Sequence, residues 1–139
     1  MNKISYEGCE YYIATLESDK YSSFEKKELI RSCGSEKSTL YSCSGQNYSG
    51  PDSGAGHDLS IVCISDGYLY FTESGWSQND WYMWEEEWQM YRYKTDGSGE
   101  VELFCKVQKS GSAHDKDNLS IDYEYYLDKA IALEILQDK

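Results

Sequence analysis

Residues 90–104 read Met90-Tyr91-Arg92-Tyr93-Lys94-Thr95-Asp96-Gly97-Ser98-Gly99-Glu100-Val101-Glu102-Leu103-Phe104. Two runs of β-formers flank an Asp-Gly pair. That is a strong hairpin signal, because glycine accepts a positive φ without steric cost. A similar arrangement occurs earlier in the chain: Leu29-Ile30-Arg31 leads through Cys33-Gly34-Ser35 to the return run Thr39-Leu40-Tyr41. Between them, Asp66-Gly67 opens the aromatic run Tyr68-Leu69-Tyr70-Phe71. The chain therefore reads as mainly β and antiparallel.

It also repeats itself. Small-residue stretches pass through His57-Asp58 and through His114-Asp115 into apolar runs, and tyrosine-rich runs follow each. Ile4-Ser5-Tyr6 leading into Cys9-Glu10-Tyr11-Tyr12-Ile13 looks like a further copy. This predicts one domain, 1–139, built from units at about 3–43, 59–107 and 117–136, with linkers at about 44–58 and 108–116. In the last unit Leu119, Ile121, Tyr123, Tyr125 and Leu127 alternate, as do Ile131, Leu133 and Ile135, which predicts a hairpin. Residues 128–139 are also strong helix formers, so a short C-terminal helix is the alternative.

The pattern Asp-Gly-x-hydrophobic-Tyr-aromatic, an insertion, then Met90-Tyr91-Arg92 and Asp96-Gly97-Ser98-Gly99 before a closing strand resembles a blade of the TolB-like six-bladed propellers. The likeness spans 59–107 well, 3–43 weakly and 117–136 in its first half. It implies two blade-like sheets plus a third hairpin, which are too few to close a ring. It transfers no catalytic residues.

Asp and Glu number 25 against 13 Lys and Arg, for a formal net charge of −12. Direct nucleic-acid binding is disfavoured, since displacing counterions from phosphates needs a basic face. Aromatics at 15% separate the chain from acidic disordered tails. The sequence has no long apolar run and no signal-peptide core, so the expected location is the cytoplasm, away from membranes. Cys9, Cys33, Cys43, Cys63 and Cys105 form no C-x-x-C and lie in or beside apolar stretches, where reduced structural thiols are expected.

All four tryptophans fall in residues 75–91. Trp81, Trp84 and Trp88 are spaced i, i+3, i+7 behind Asn79-Asp80, which predicts a short capped helical turn with Glu85, Glu86 and Glu87 partly on its other side. Ser22-x-x-Glu25 has a capping-box pattern at the corresponding place in the first unit. The candidate partner-binding set is Trp76, Trp81, Tyr82, Trp84, Glu85, Glu86, Glu87 and Trp88. Aromatics supply desolvated contact area, and carboxylates select Lys and Arg.

Catalytic and metal motifs are missing from the sequence. Asp58, Asp115 and Asp117 lack EF-hand order, and no P-loop or G-x-S-x-G occurs. The expectation is a non-enzymatic protein without cofactor or metal. Its expected role is to neutralise a basic partner protein, first of all as an immunity protein against a bacterial toxin such as a nuclease. The same features fit a phage inhibitor of bacterial defence, of the anti-CRISPR kind. Other readings are a carbohydrate- or peptide-binding module, and a hydrolase using Cys63 or Cys105.

Overall fold

The computed structural model describes residues 1–19, 24–49, 54–78, 83–113 and 119–126. Every regular element among them is a strand. The first sheet is a meander of β1 (Lys3–Tyr6), β2 (Cys9–Asp19), β3 (Phe24–Cys33) and β4 (Glu36–Gln46). The second contains β5 (Tyr48–Ser49), β6 (Gly54–Ser65), β7 (Tyr68–Gln78), β8 (Met83–Lys94), β9 (Glu102–Ala113) and β10 (Leu119–Tyr126). They lie in the order β10-β9-β8-β7-β6-β5. All neighbours are antiparallel, as the hairpin signals predict.

Each sheet contains one tight hairpin of the same kind. Glu7-Gly8 closes the Tyr6↔Cys9 pair with φ of 50° and 80°, and Asp66-Gly67 closes Ser65↔Tyr68 with 52° and 79°. Positive φ at both central residues defines the type I′ turn, whose twist matches that of the strands it joins. Asp96-Gly97 also lies between antiparallel strands, but in a wider loop, since the last β8–β9 pair is Arg92↔Glu102. Gly97 takes φ of 80°, and the Asp96 carboxylate accepts from the Ser98 N–H at 2.8 Å.

The sheets share one core. Tyr11 and Leu29 of the first are fully buried against Leu59, Ile61, Leu69 and Phe71 of the second. Tyr41 fits beside Phe71 and Tyr91, with ring centroids 5.4 and 4.8 Å away. Polar ties join the sheets too. Arg31 donates from Nη2 to the Thr95 carbonyl at 3.2 Å, while its Nε donates to Tyr11 Oη of its own sheet at 3.2 Å. Lys27 Nζ reaches Asp58 Oδ1 at 3.0 Å. A second cluster, formed by Cys63, Tyr70, Met90 and Cys105, belongs to the second sheet alone.

Four expectations are corrected. The predicted helical turn around Trp84 and Trp88 is strand, because both fall within β8, where β7 and β9 supply cross-strand hydrogen bonds on either side. Glu25 of the predicted capping box likewise belongs to β3, and Ser22 lies outside the described residues. The predicted linkers contain strand: β4 runs to Gln46, β6 begins at Gly54 and β9 continues to Ala113. Cys9 and Cys33 are directly opposed on β2 and β3, with Cα atoms 4.3 Å apart, and form a disulfide. Reduced thiols at all five positions are therefore not what the fold contains.

At the C-terminal end β10 pairs with β9 from Leu119 to Tyr126, so the first alternating run is strand. The second run and the helix alternative, along with His114, Asp115 and Asp117, lie outside the described residues. Among those residues no helix is long and apolar enough to cross a membrane.

Candidate functional site

Alternation along the strands delivers matching side chains to the space between the sheets. Successive inward positions are Tyr41, Cys43 and Gly45 on β4, facing Phe71, Glu73 and Gly75 on β7. Both series run from an aromatic ring through a polar group to a glycine. The rings join the core, and the glycines leave room. The result is a cleft of about 320 Å³ at this end, with Gly45, His57, Glu73, Gly75, Trp76 and Gln89 among its lining residues. Gly45 lets the two strands approach there, since a Cβ would stand 3.0 Å from His57 Cβ and Cγ and the imidazole would have to shift.

Cys43 of β4 converges on two residues that line the cleft, His57 of β6 and Glu73 of β7, their ligand atoms all within 4.8 Å of one another. His57 Nε2 lies 3.2 Å from Glu73 Oε2. The other carboxylate oxygen, Oε1, accepts a hydrogen bond from the Tyr41 hydroxyl. Tyr41 Oη is in turn 3.2 Å from Tyr91 Oη. Tyr91 donates to Gln89, whose amide donates to Glu87. On the other flank, Asn47 Oδ1 accepts from the His57 backbone N–H at 2.8 Å, while Asn47 Nδ2 donates to Glu25 at 3.1 Å. One polar atom is left over: His57 Nδ1 is buried with no hydrogen-bond partner.

The field at this site opposes additional negative charge. Burial, and then the neighbouring Glu73 carboxylate, push the Cys43 thiol up to about 12. Tyr41 is raised well above the usual phenol range by burial and by its hydrogen bond to Glu73, and Tyr91 is raised chiefly by burial. A cysteine nucleophile needs the opposite environment, one that stabilises thiolate. What the cluster offers instead is three different donor atoms from three strands of two sheets.

Of the residues singled out from sequence, Trp76, Glu87 and Trp88 have described surroundings. Trp76, 45% exposed, lies at the cleft, its indole against Gly56, its direct partner on β6. A Cβ at Gly56 would stand 1.9 Å from the indole Nε1. Glu87 also borders the cleft, but its carboxylate is 3.1 Å from Lys106 Nζ. Trp88 is half-buried against the Cys63–Met90 cluster of the second sheet. Trp84, Glu85 and Glu86 occupy consecutive positions of β8, opposite Gln78, Ser77 and Trp76 of β7. Trp81 and Tyr82 lie outside the described residues. Cys63 and Cys105, the hydrolase candidates, are 2% and 0% exposed and out of a substrate's reach.

Sequence reasoning placed His57 in a linker and passed over Cys43 and Glu73. Those residues are 30 positions apart and meet only when the sheets pack. The period-2 match of Tyr41-x-Cys43-x-Gly45 with Phe71-x-Glu73-x-Gly75 is the signal that points to them. The chain matches no protein-family model, no curated protein and no solved structure.

Proposed function

We propose that the protein is a non-enzymatic binding protein that neutralises a basic partner protein, as an immunity protein neutralises a bacterial toxin. The carrying observation is Trp76, a large aromatic left 45% exposed at the cleft of a chain with net charge −12. A rigid aromatic beside a concavity is the usual anchor of a protein interface. The surplus of carboxylates steers a cationic partner towards it and disfavours nucleic acid. The proposed compartment is the cytoplasm, and the two sheets are proposed to be blade-like repeats. The raised thiol at Cys43 supports the non-enzymatic side of the reading.

A pull-down with tagged protein, read by mass spectrometry, tests this. Wild type and Trp76→Ala are compared over a salt series. Retention of one basic protein by the wild type, release of it by rising salt, and at least tenfold less of it with the variant are the expected results, since truncating an interface anchor costs about 2 kcal/mol or more. A partner held equally by both proteins, or none held by either, overturns the reading.

A further inference from the structure

We propose that Cys43, His57 and Glu73 form a three-ligand site for a divalent transition ion, with the remaining coordination position open to the cleft. The ligand set selects the ion. A thiolate, an imidazole and a carboxylate together suit zinc, which accepts sulfur, nitrogen and oxygen in tetrahedral geometry. Calcium and magnesium, which take oxygen donors, do not fit.

The geometry is close to what zinc needs. With Zn–N and Zn–O bonds of about 2.0–2.2 Å, tetrahedral ligands stand roughly 3.3 Å apart. The His57 Nε2 to Glu73 Oε2 separation is 3.2 Å. A zinc-bound sulfur stands roughly 3.6 Å from its neighbouring ligand atoms, and the three ligand atoms here fall within 4.8 Å of one another.

The surroundings point the same way. Tyr41 donates to Glu73 Oε1, which leaves Oε2 directed at His57 and fixes the carboxylate. Asn47 pins the β6 backbone at His57. Supporting contacts of this kind orient metal ligands in known sites. His57 Nδ1 is the other ring nitrogen, buried without a partner, so the coordinating atom in this arrangement is Nε2, the one that faces Glu73. On binding, the Cys43 thiol releases its proton to solvent and the ion takes the place of that proton. Asp58, considered for a cation from sequence, is engaged by Lys27 at 3.0 Å and lies outside this set.

The test uses the full chain with its Cys9–Cys33 disulfide intact, stripped of metal by a chelator. Zinc is titrated in competition with a chromophoric chelator, and cobalt(II) is titrated by absorption. One zinc per chain is expected. The cobalt protein should show the intense visible bands of a tetrahedral ion together with a thiolate-to-cobalt charge-transfer band. Cys43→Ser should abolish that band and weaken zinc by more than the roughly 100-fold that loss of a supporting contact costs. Glu73→Gln should keep the band and weaken zinc. Cys63→Ser should keep band and affinity alike, as should Trp76→Ala, so the outcome is separable from that of the partner experiment. Folded wild-type protein that gives no charge-transfer band overturns the site whatever the variants do. A band that survives Cys43→Ser overturns it as well.

Discussion

Cys43 is where environment and reactivity diverge most. It sits on an otherwise ordinary strand, yet burial and the Glu73 carboxylate hold its thiol at about 12 in the metal-free protein. The thiolate is the species that alkylates, and an unperturbed thiol ionises near 8.5. At pH 8 the folded protein should therefore be carboxamidomethylated at Cys43 on the order of a thousand times more slowly than the unfolded chain. Timed iodoacetamide labelling followed by peptide mapping measures this. The same shift has a consequence for stability. Since the folded-state value lies above the unfolded one, the stabilisation is complete below about pH 8.5 and is lost as pH rises from there towards 12. Urea midpoints should fall over that window, and Cys43→Ser should remove part of the fall. The remainder belongs to Tyr41 and Tyr91, both also raised. Labelling of native Cys43 as fast as the denatured chain would mean that the thiol is open to water and that the inward placement of Cys43 is wrong.

At the scale of elements, the two sheets have one local feature in common, a tight turn followed by a tyrosine. Counting from Glu7-Gly8 and Asp66-Gly67, Tyr11 corresponds to Tyr70, and each is opposed in register by an arginine, Arg31 across β2–β3 and Arg92 across β7–β8. Asp suits a left-handed turn position better than Glu, because its short side chain tolerates that backbone. Glu7→Asn should therefore stabilise the protein by a few tenths of a kcal/mol. Gly67→Ala, at φ of 79°, should destabilise it by about 1 kcal/mol or more. Chemical denaturation of both variants checks the pair of signs, and a neutral Gly67→Ala would contradict the assigned turn. Asp66-Gly67 stood out in the sequence because Asp-Gly turn chemistry is local, whereas Glu7-Gly8 carries no such pair and passed unread. The helical reading of Trp81, Trp84 and Trp88 failed for the complementary reason: tryptophan and glutamate spacing is short-range information, and cross-strand pairing with β7 and β9 decides the backbone of β8. The Cys9–Cys33 pair was missed on the same account, since 24 residues of sequence separate positions that the β2–β3 register places opposite each other.

For the whole molecule the question is whether the two sheets stand or fall together. The larger core is shared, with Tyr11 and Leu29 from one and Leu59, Ile61, Leu69 and Phe71 from the other, whereas the Cys63–Met90 cluster belongs to the second sheet alone. A domain of this size is expected to unfold in a single transition. The distribution of two residue types makes this testable. The disulfide is confined to the first sheet, whereas all four tryptophans lie at or after position 76, in the part of the chain that forms the second. Replacing Cys9 and Cys33 by serine releases a 24-residue closure, which the chain-entropy relation puts at roughly 3.5 kcal/mol. Tryptophan fluorescence then reports a lesion made in a sheet that contains no tryptophan. If the core couples the sheets, the denaturation midpoint read by fluorescence and that read by far-ultraviolet circular dichroism should drop together and by equal amounts. If the fluorescence midpoint stays at its wild-type value while circular dichroism gains an earlier step, the sheets are separately stable. Tyr41, Phe71 and Tyr91 would then be contact rather than core. The same outcome would leave Cys43, on β4, free to part from His57 and Glu73, so the cohesion of the two sheets and the integrity of the proposed metal site depend on the same packing.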